Sequence, residues 1–168
     1  MSQAKPAGKG CHRFYSRALD EEVERRVRLE HDLRGAWERG EMSLAFQPVF
    51  DLTDGRAVGA EALLRWTHPE LGLVPPSVFI AIAEDSGQVE VIGHRVLEEA
   101  MRAATAWTSP SGGRPPFVAI NLSPRQLAGG ELPQAVEAAL ARTGLDATRL
   151  HLELTETAIL RDEAQATA

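Results

Sequence analysis

The chain has 168 residues, of which 43% are hydrophobic and 25% charged, a balance ordinary for one globular domain with a substantial core. Its net charge of −6 argues against a broad surface for a nucleic acid polymer but permits a local basic pocket for a phosphate. The single cysteine, Cys11, cannot form an internal disulfide, and the sequence shows neither a bilayer-length apolar run nor a signal-peptide core. These features predict a cytoplasmic protein with no membrane segment.

The first part of the chain divides into a lead-in and a helix. Residues 1–12 are small, basic and rich in glycine, which is typical of a turn-rich segment. Residues 19–39 carry charges around a thin apolar stripe at helical spacing, which predicts a charged connecting helix. Asp20 is placed to cap its start, and Gly40 lies where a helix-ending glycine belongs.

Two strands follow the helix. Residues 43–52 and 57–66 both read as strands, and the turn residues at 53–56 leave room only for a hairpin, so the two strands should be antiparallel. Pro48 cannot donate to a sheet ladder, which indicates that the first strand is an edge or irregular strand.

The remainder alternates between helices and strands. The sequence predicts helices at 77–85, 88–107 and 132–143, strands at 117–122 and 150–154, and a further helix from residue 158. Ser77 is a candidate N-cap for the first of these helices, and Gly144 a candidate stop for the third. This order is typical of βα units and predicts a parallel sheet within an α/β fold.

Three predicted strands carry polar residues towards their carboxyl ends. Glu61 and Arg65 share one face of the second strand, Asn121 lies on the third, and Glu153 lies on the fourth. Each has a structural alternative: Glu61 and Arg65 as an ion pair, Asn121 as a turn cap, and Glu153 as part of a solvated strand exit. Since active sites of parallel α/β folds lie at the carboxyl ends of strands, their convergence favours a functional site.

The chemistry of these side chains indicates a metal and a phosphate. Glu61, Asn121 and Glu153 offer oxygen donors, which suit Mg²⁺ or Mn²⁺ better than Zn²⁺. Arg65 beside such a metal is suited to binding a phosphate oxygen. The residues alone therefore predict a metal-assisted site for a phosphate-bearing ligand.

Several segments together resemble one known family. EALLRW at 61–66, within the segment 46–87, resembles the opening of the EAL domain, the cyclic-di-GMP phosphodiesterase family of bacterial signalling. INLSPRQL at 120–127 and LELTET at 152–157 resemble later motifs of the same family, in its order and spacing. The resemblance implies a TIM-like (β/α)₈ barrel of the EAL type, whose first strand is antiparallel to the others.

The resemblance also implies roles for particular residues. Glu61, Asn121 and Glu153 resemble the family's metal ligands, with Glu61 also catalytic. Gln47 and Arg65 resemble its substrate contacts. The reaction implied is hydrolysis of cyclic-di-GMP to linear pGpG with Mg²⁺ or Mn²⁺.

The resemblance implies a role for one further glutamate. Glu156 resembles the family's catalytic-loop glutamate, which steadies a loop over the site and lies near a dimer contact. A homodimer through the barrel is therefore a possible partner arrangement, alongside cyclic-di-GMP as ligand.

The resemblance also divides the chain into segments. Residues 1–18 resemble the end of a GGDEF domain, 19–40 an interdomain linker helix, and 41–168 a partial EAL domain. A complete barrel takes roughly 250 residues, whereas the sequence shows about four strands and lacks the family's later acidic and lysine motifs. We therefore expect a truncated barrel with little or no activity alone. A non-catalytic cyclic-di-GMP receptor or a dimerisation piece is the alternative.

Overall fold

The computed structural model describes residues 17–109 and 113–154. Its helices and strands, in chain order, are α1 Arg17–Leu33, β1 Met42–Phe50, β2 Ala57–His68, β3 Gly72–Val74, α2 Pro76–Ser86, α3 Gln88–Thr105, β4 Phe117–Leu122, α4 Pro124–Ala128, α5 Leu132–Thr143 and β5 Leu150–Leu154. A short 3₁₀ turn, Ala147–Arg149, leads into β5. The predicted lead-in and the helix predicted from residue 158 lie outside the described residues. None of the described helices has the length and apolar character needed to cross a bilayer.

One mixed sheet organises the described residues. Its strand order is β1-β2-β4-β5, with the short β3 paired to β2. β1 and β2 form the predicted antiparallel hairpin, and β2, β4 and β5 run parallel. Pro48 lies in β1 at the edge of this sheet, where its missing N–H removes no interior hydrogen bond. The predicted α/β fold with an antiparallel first strand is confirmed.

Side chains alternate between two faces of the sheet. Ala62, Val118 and Ile120 point to one face and are buried against α3 and α5. The opposite face carries Glu61, Asn121 and Glu153, and the last two are exposed. The packing of helices on one face thus leaves the polar residues on the other.

A second apolar cluster lies at the end of β2. Trp66 is fully buried among Leu29 and Leu33 of α1, Val74 of β3 and Phe79 of α2. The rings of Trp66 and Phe79 meet edge-on, with centroids 5.9 Å apart. The C-terminal half of α1 is therefore packed into the same core as the sheet.

Helix α1 ends earlier than the sequence predicts. It stops at Leu33 rather than Arg39, and Gly35 adopts a left-handed conformation with φ 70°. The Arg39 guanidinium donates to the backbone carbonyls of Asp32 and Arg34. A glycine turn and a side-chain cap thus end the helix before Gly40, so the prediction that Gly40 is its C-cap is wrong.

Two other local predictions meet different outcomes. Helix α2 begins at Pro76, with Pro75 at the N-cap position and no side-chain cap, so Ser77 is not the N-cap. Pro76 suits the first helical turn because that turn has no intrahelical use for its N–H. Gly144 ends α5 in the left-handed conformation, with φ 72°, as predicted.

Polar contacts join α1 to the loop after β2. Asp32 accepts from His68 Nε2 at 3.1 Å, while His68 Nδ1 accepts from the backbone N–H groups of Glu70 and Leu71 at 3.1 and 3.2 Å. Those two donors require an unprotonated Nδ1, which places the neutral ring's proton on Nε2. Hydrogen bonds from His31 and then His68 lower the pKa of Asp32 from 3.8 to about 2.

Acid should weaken this junction. Because the folded-state pKa of Asp32 is lowered, its stabilising contribution is complete above pH 3.8 and is lost as pH falls towards about 2. We expect Asp32→Asn to flatten the fall in unfolding free energy across that interval, measured by urea denaturation at several pH values. Asp20→Asn, an exposed acid on the same helix, is the control and should retain the wild-type slope. An unchanged slope in Asp32→Asn would refute this assignment.

Candidate functional site

The polar face of the sheet brings four of the predicted residues together as two register-matched pairs. Gln47 of β1 pairs with Glu61 of β2, and Asn121 of β4 pairs with Glu153 of β5. Asn121 Nδ2 donates to Glu61 Oε1 at 2.6 Å, which links the two pairs across the β2–β4 junction. Directly paired side chains on one face of a sheet lie about 5 Å apart at Cβ. Between β2 and β4 the register pairs Glu61 with Ala119, so Asn121 lies diagonally from Glu61 and reaches it through this hydrogen bond. The four side chains therefore form one stepped row across four strands.

Arg65 lies further along β2 on the same face as Glu61. It is half-buried, and its Nη1 donates to the carbonyl of Leu64 at 3.1 Å. The remaining guanidinium donors allow it to bind an oxyanion beside the carboxylates. The structure thus places Gln47, Glu61, Arg65, Asn121 and Glu153 on one face, and Glu156 lies outside the described residues.

A cleft accompanies this row. A cavity of about 470 Å³ is lined by Glu61, Arg65 and Asn121 together with Glu84 and Ser123. A larger cavity, of about 700 Å³, lies at the opposite ends of the strands, around Arg56, Arg114, Phe117 and His151, away from all the predicted site residues. We place the candidate site in the smaller cavity because its lining contains the acidic, amide and guanidinium groups together.

The donor set suits a hard divalent cation in its chemistry. Glu61 and Glu153 provide carboxylate oxygens and Asn121 an amide oxygen, the donor types that Mg²⁺ and Mn²⁺ prefer. Within residues 17–109 and 113–154, no three His, Cys, Asp or Glu side chains are grouped closely enough to hold a metal without such an amide. A metal at this row would therefore depend on Asn121 as well as on the two carboxylates.

A glycine in β2 leaves room for an aromatic ring of β4 below this row. A Cβ added to Gly59 of β2 would lie 2.5 Å from the Phe117 ring of β4. The Phe117 ring in turn stacks on His151 of β5, with centroids 4.0 Å apart and planes at 14°. This layer packs across β2, β4 and β5, with Gly59 and His151 two residues before Glu61 and Glu153, directly below the row.

Three residues next to the site were not predicted from the sequence. Ser123 and Gln126 form a capping box that starts α4 directly after β4, and Ser123 also contacts Glu84. The signal was present in the S-P-R-Q sequence at 123–126, which has the Ser/Thr-x-x-Glu/Gln pattern. Glu84 carried no comparable signal, because its partner is 39 residues away.

An oxygen-rich row of side chains lies beside an arginine on one face of a mixed α/β sheet, and its donor types are those suited to a metal ion and a phosphate. The family model of the EAL domain matches residues 30–168. The chain belongs to the EAL domain family.

Known relatives share most of this chain. An uncharacterized signaling protein of Caulobacter vibrioides is 40% identical over 99% of the chain, which spans 20% of that protein. The bifunctional diguanylate cyclase/cyclic di-GMP phosphodiesterase MucR of Pseudomonas aeruginosa is 38% identical over 96% of the chain, which spans 24% of it. The chain thus covers about a fifth to a quarter of these relatives.

Solved structures share the fold. The cyclic-di-GMP complex of the PaMucR phosphodiesterase superposes with a TM-score of 0.73 at 41% identity, over 82% of this chain and 56% of that one. The cGMP-bound EAL enzyme Bd1971 gives a TM-score of 0.75 at 28% identity, over 86% of this chain and 41% of that one. The predicted EAL-type, TIM-like architecture is therefore confirmed for a partial sheet.

Proposed function

We propose that this chain contributes the first half of a cyclic-di-GMP phosphodiesterase site. The observation that carries the proposal is the Asn121–Glu61 hydrogen bond of 2.6 Å, which joins two register-matched polar pairs into one row of oxygen donors. Membership of the EAL family and the likeness to a phosphodiesterase solved with cyclic-di-GMP support the choice of ligand.

Each residue of the row has a proposed role that follows from its side-chain chemistry. Glu61, Asn121 and Glu153 would hold Mg²⁺ or Mn²⁺, which when bound polarises a phosphodiester and acidifies a coordinated water. Arg65 binds and neutralises a phosphate oxygen, and Gln47, next to Glu61, orients the ligand through its amide. Glu61 is then catalytic because it lies beside the reacting phosphate. Both the binding of a metal ion and its identity as Mg²⁺ or Mn²⁺ are proposals.

Turnover needs more than the described row. Two-metal hydrolysis requires ligands around both ions and groups that position the attacking water. The described strands offer two carboxylates and one amide, so we propose that the 168-residue polypeptide binds cyclic-di-GMP but has little or no hydrolytic activity alone. We propose that Glu156 is the glutamate that steadies a loop over the site.

Arg65 provides the test of ligand binding. Removing a charged hydrogen-bond donor from a phosphate costs about 1.5–3 kcal/mol, which is about tenfold or more in affinity. We expect Arg65→Ala to weaken cyclic-di-GMP binding by this factor in isothermal titration with Mg²⁺ present. Arg95→Ala, which removes an exposed arginine paired with Glu38, should bind as the wild type does. Equal affinities for all three proteins would reject the assignment of Arg65.

The alternatives give different results in the same titration. A non-catalytic receptor would bind cyclic-di-GMP equally well after metal chelation. A dimerisation piece would not bind it, but would sediment as a dimer. The homodimer through the barrel remains a proposal that sedimentation equilibrium tests directly.

The segments of the chain also have proposed domain assignments. We propose that residues 1–18 are the end of a GGDEF domain, 19–40 a linker that contains most of helix α1 and the turn after it, and 41–168 part of an EAL domain, in a cytoplasmic protein. MucR, named as a bifunctional diguanylate cyclase and phosphodiesterase, aligns over 96% of the chain, a share that must include most of residues 1–18. The burial of Leu29 and Leu33 supports a linker whose final turns dock on the EAL domain.

A further inference from the structure

The Asn121 side chain depends on what holds the end of its strand. Asn121 is exposed, and its amide makes one hydrogen bond, to Glu61. Strand β4 ends one residue later, at Leu122, and the five-residue helix α4 begins at Pro124. A helix this short has little stability of its own. Pairing with β5 holds the backbone of Asn121 and Leu122, and the strand-to-helix junction adds the restraint immediately beyond them.

Ser123 is the anchor point of that junction. Its backbone N–H donates to Gln126 Oε1 at 2.9 Å, and its Oγ accepts from the Arg125 N–H at 3.3 Å. Ser123 and Gln126 are both 8% exposed. The capping box thus fixes the chain direction two residues beyond Asn121.

Glu84 ties this anchor to helix α2. Ser123 Oγ donates its hydroxyl proton to Glu84 Oε1 at 2.7 Å, across 39 residues of sequence. A hydroxyl has one proton and two lone pairs, so it can donate to Glu84 while accepting from Arg125. A hydrogen bond to a carboxylate is stronger than one between neutral groups. Helix α2 is therefore tied by this hydrogen bond to the residue that follows β4.

Packing against α3 holds the other half of the capping box. A Cβ added to Gly93 would collide with the Gln126 side-chain amide, so the absence of a side chain there lets Gln126 lie directly on α3. The junction is thus held from two helices at once. Glu84, Ser123 and Gln126 line the same cleft as Glu61, Arg65 and Asn121.

Helix α2 does not need a carboxylate at position 84 to pack. Its buried contacts come from Phe79, Ile82 and Ala83. A half-buried carboxylate costs free energy unless it is well bonded. The next residue, Asp85, instead points outwards to pair with Arg26 of α1.

We infer that Glu84 is a positioning residue, which acts through Ser123 to hold Asn121 against Glu61 in the metal-binding row. The inference deepens the proposed function and rests on it for the role of Asn121. Removing Glu84 releases the Ser123 hydroxyl, loosens the start of α4 and lets the Asn121 amide leave Glu61. A metal that needs both residues then binds less well.

The sequence offers a direct probe, because Asn121 is its single asparagine. Labelling with side-chain ¹⁵N-asparagine gives one amide pair in the NMR spectrum, which reports the Asn121–Glu61 bond without any metal. We expect Glu84→Leu to shift this pair towards free asparagine and to speed its solvent exchange at least about tenfold, since a bonded amide becomes free. Glu84→Gln keeps a carbonyl acceptor for Ser123 and should retain the wild-type signal.

Metal affinity provides the second readout. Mn²⁺ binding followed by electron paramagnetic resonance should weaken about tenfold in Glu84→Leu, as for other groups that orient metal ligands, and should be restored in Glu84→Gln. Asp85→Ala removes a neighbouring paired carboxylate of α2 and is the matched control, with unchanged signal and affinity. Should Glu84→Leu fail to fold, Glu84→Ala, which also removes the acceptor for Ser123 but leaves its cap to Arg125 intact, must show the same losses.

The outcomes separate this inference from the proposed function. If the wild type binds Mn²⁺ while Glu84→Leu keeps both the Asn121 signal and the affinity, the role of Glu84 is overturned and the proposed function stands. If the wild type binds no Mn²⁺, the proposed function fails, and the Asn121 signal alone still decides whether Glu84 positions that side chain.

Discussion

Replacing Trp66 by alanine is expected to lower the free energy of unfolding by about 3–5 kcal/mol, the range for a fully buried tryptophan. Trp66 has no exposed surface and joins α1, β3 and α2 in one apolar cluster. Its Nε1–H also donates to Glu41 at 3.1 Å, so truncation removes a charge-assisted hydrogen bond as well as a ring. Urea denaturation measures the loss.

Two comparison variants divide this loss into its parts. Trp66→Phe keeps most of the apolar contact but loses the donor to Glu41, and should cost about 1–3 kcal/mol. Trp107→Ala removes a half-buried ring that meets Phe46 edge-on at 5.2 Å, and should cost less than Trp66→Ala. A Trp66→Ala protein as stable as Trp107→Ala would contradict the view that α1 docks through Trp66.

Replacing Glu61 by glutamine is expected to reduce Mn²⁺ affinity by about 100-fold or more, beyond the 10–100-fold typical of residues that merely orient ligands. Glutamine keeps an oxygen that can accept from Asn121 Nδ2, so the row should stay in place while its central charge is lost. The unfolding free energy should consequently change little. Electron paramagnetic resonance titration measures the affinity.

Glu137→Gln is the matched control for this charge change. Glu137 is an exposed glutamate of α5, on the helical layer and away from the polar row. Its replacement removes the same charge from the chain and should leave Mn²⁺ affinity intact. Equal losses in the two variants would show that net charge, rather than a site at Glu61, determines metal binding.

The sequence predicted the strands well because their signals are local. The alternation in β2 and β4 placed Glu61, Arg65 and Asn121 on one face, and the four-residue turn at 53–56 fixed the hairpin. Strand register followed from the same alternation, since a slip of one residue would have moved Ala62 and Ile120 out of the core. The row of polar residues could therefore be predicted before any geometry was known.

The parts that the sequence could not provide depend on contacts between distant segments. Helix α1 ends at Leu33 because Arg39 folds back on its last carbonyls, a contact that helical periodicity does not encode. His68 lies beyond the strand predicted at 57–66, yet it is 3% exposed and bonded to Asp32, 36 residues away. The proposed role of Glu84 likewise depends on its contact with Ser123, which lies beyond the next helix and strand.

We propose that the strand ends of this chain form a metal-dependent site for cyclic-di-GMP. Isothermal titration of cyclic-di-GMP into the 168-residue protein, with Mg²⁺ and then with a chelator, tests it most directly. We expect saturable binding with Mg²⁺, and an affinity that falls by at least about tenfold, or about 1.4 kcal/mol, when the metal is removed. No binding with Mg²⁺, or equal binding after chelation, would contradict it.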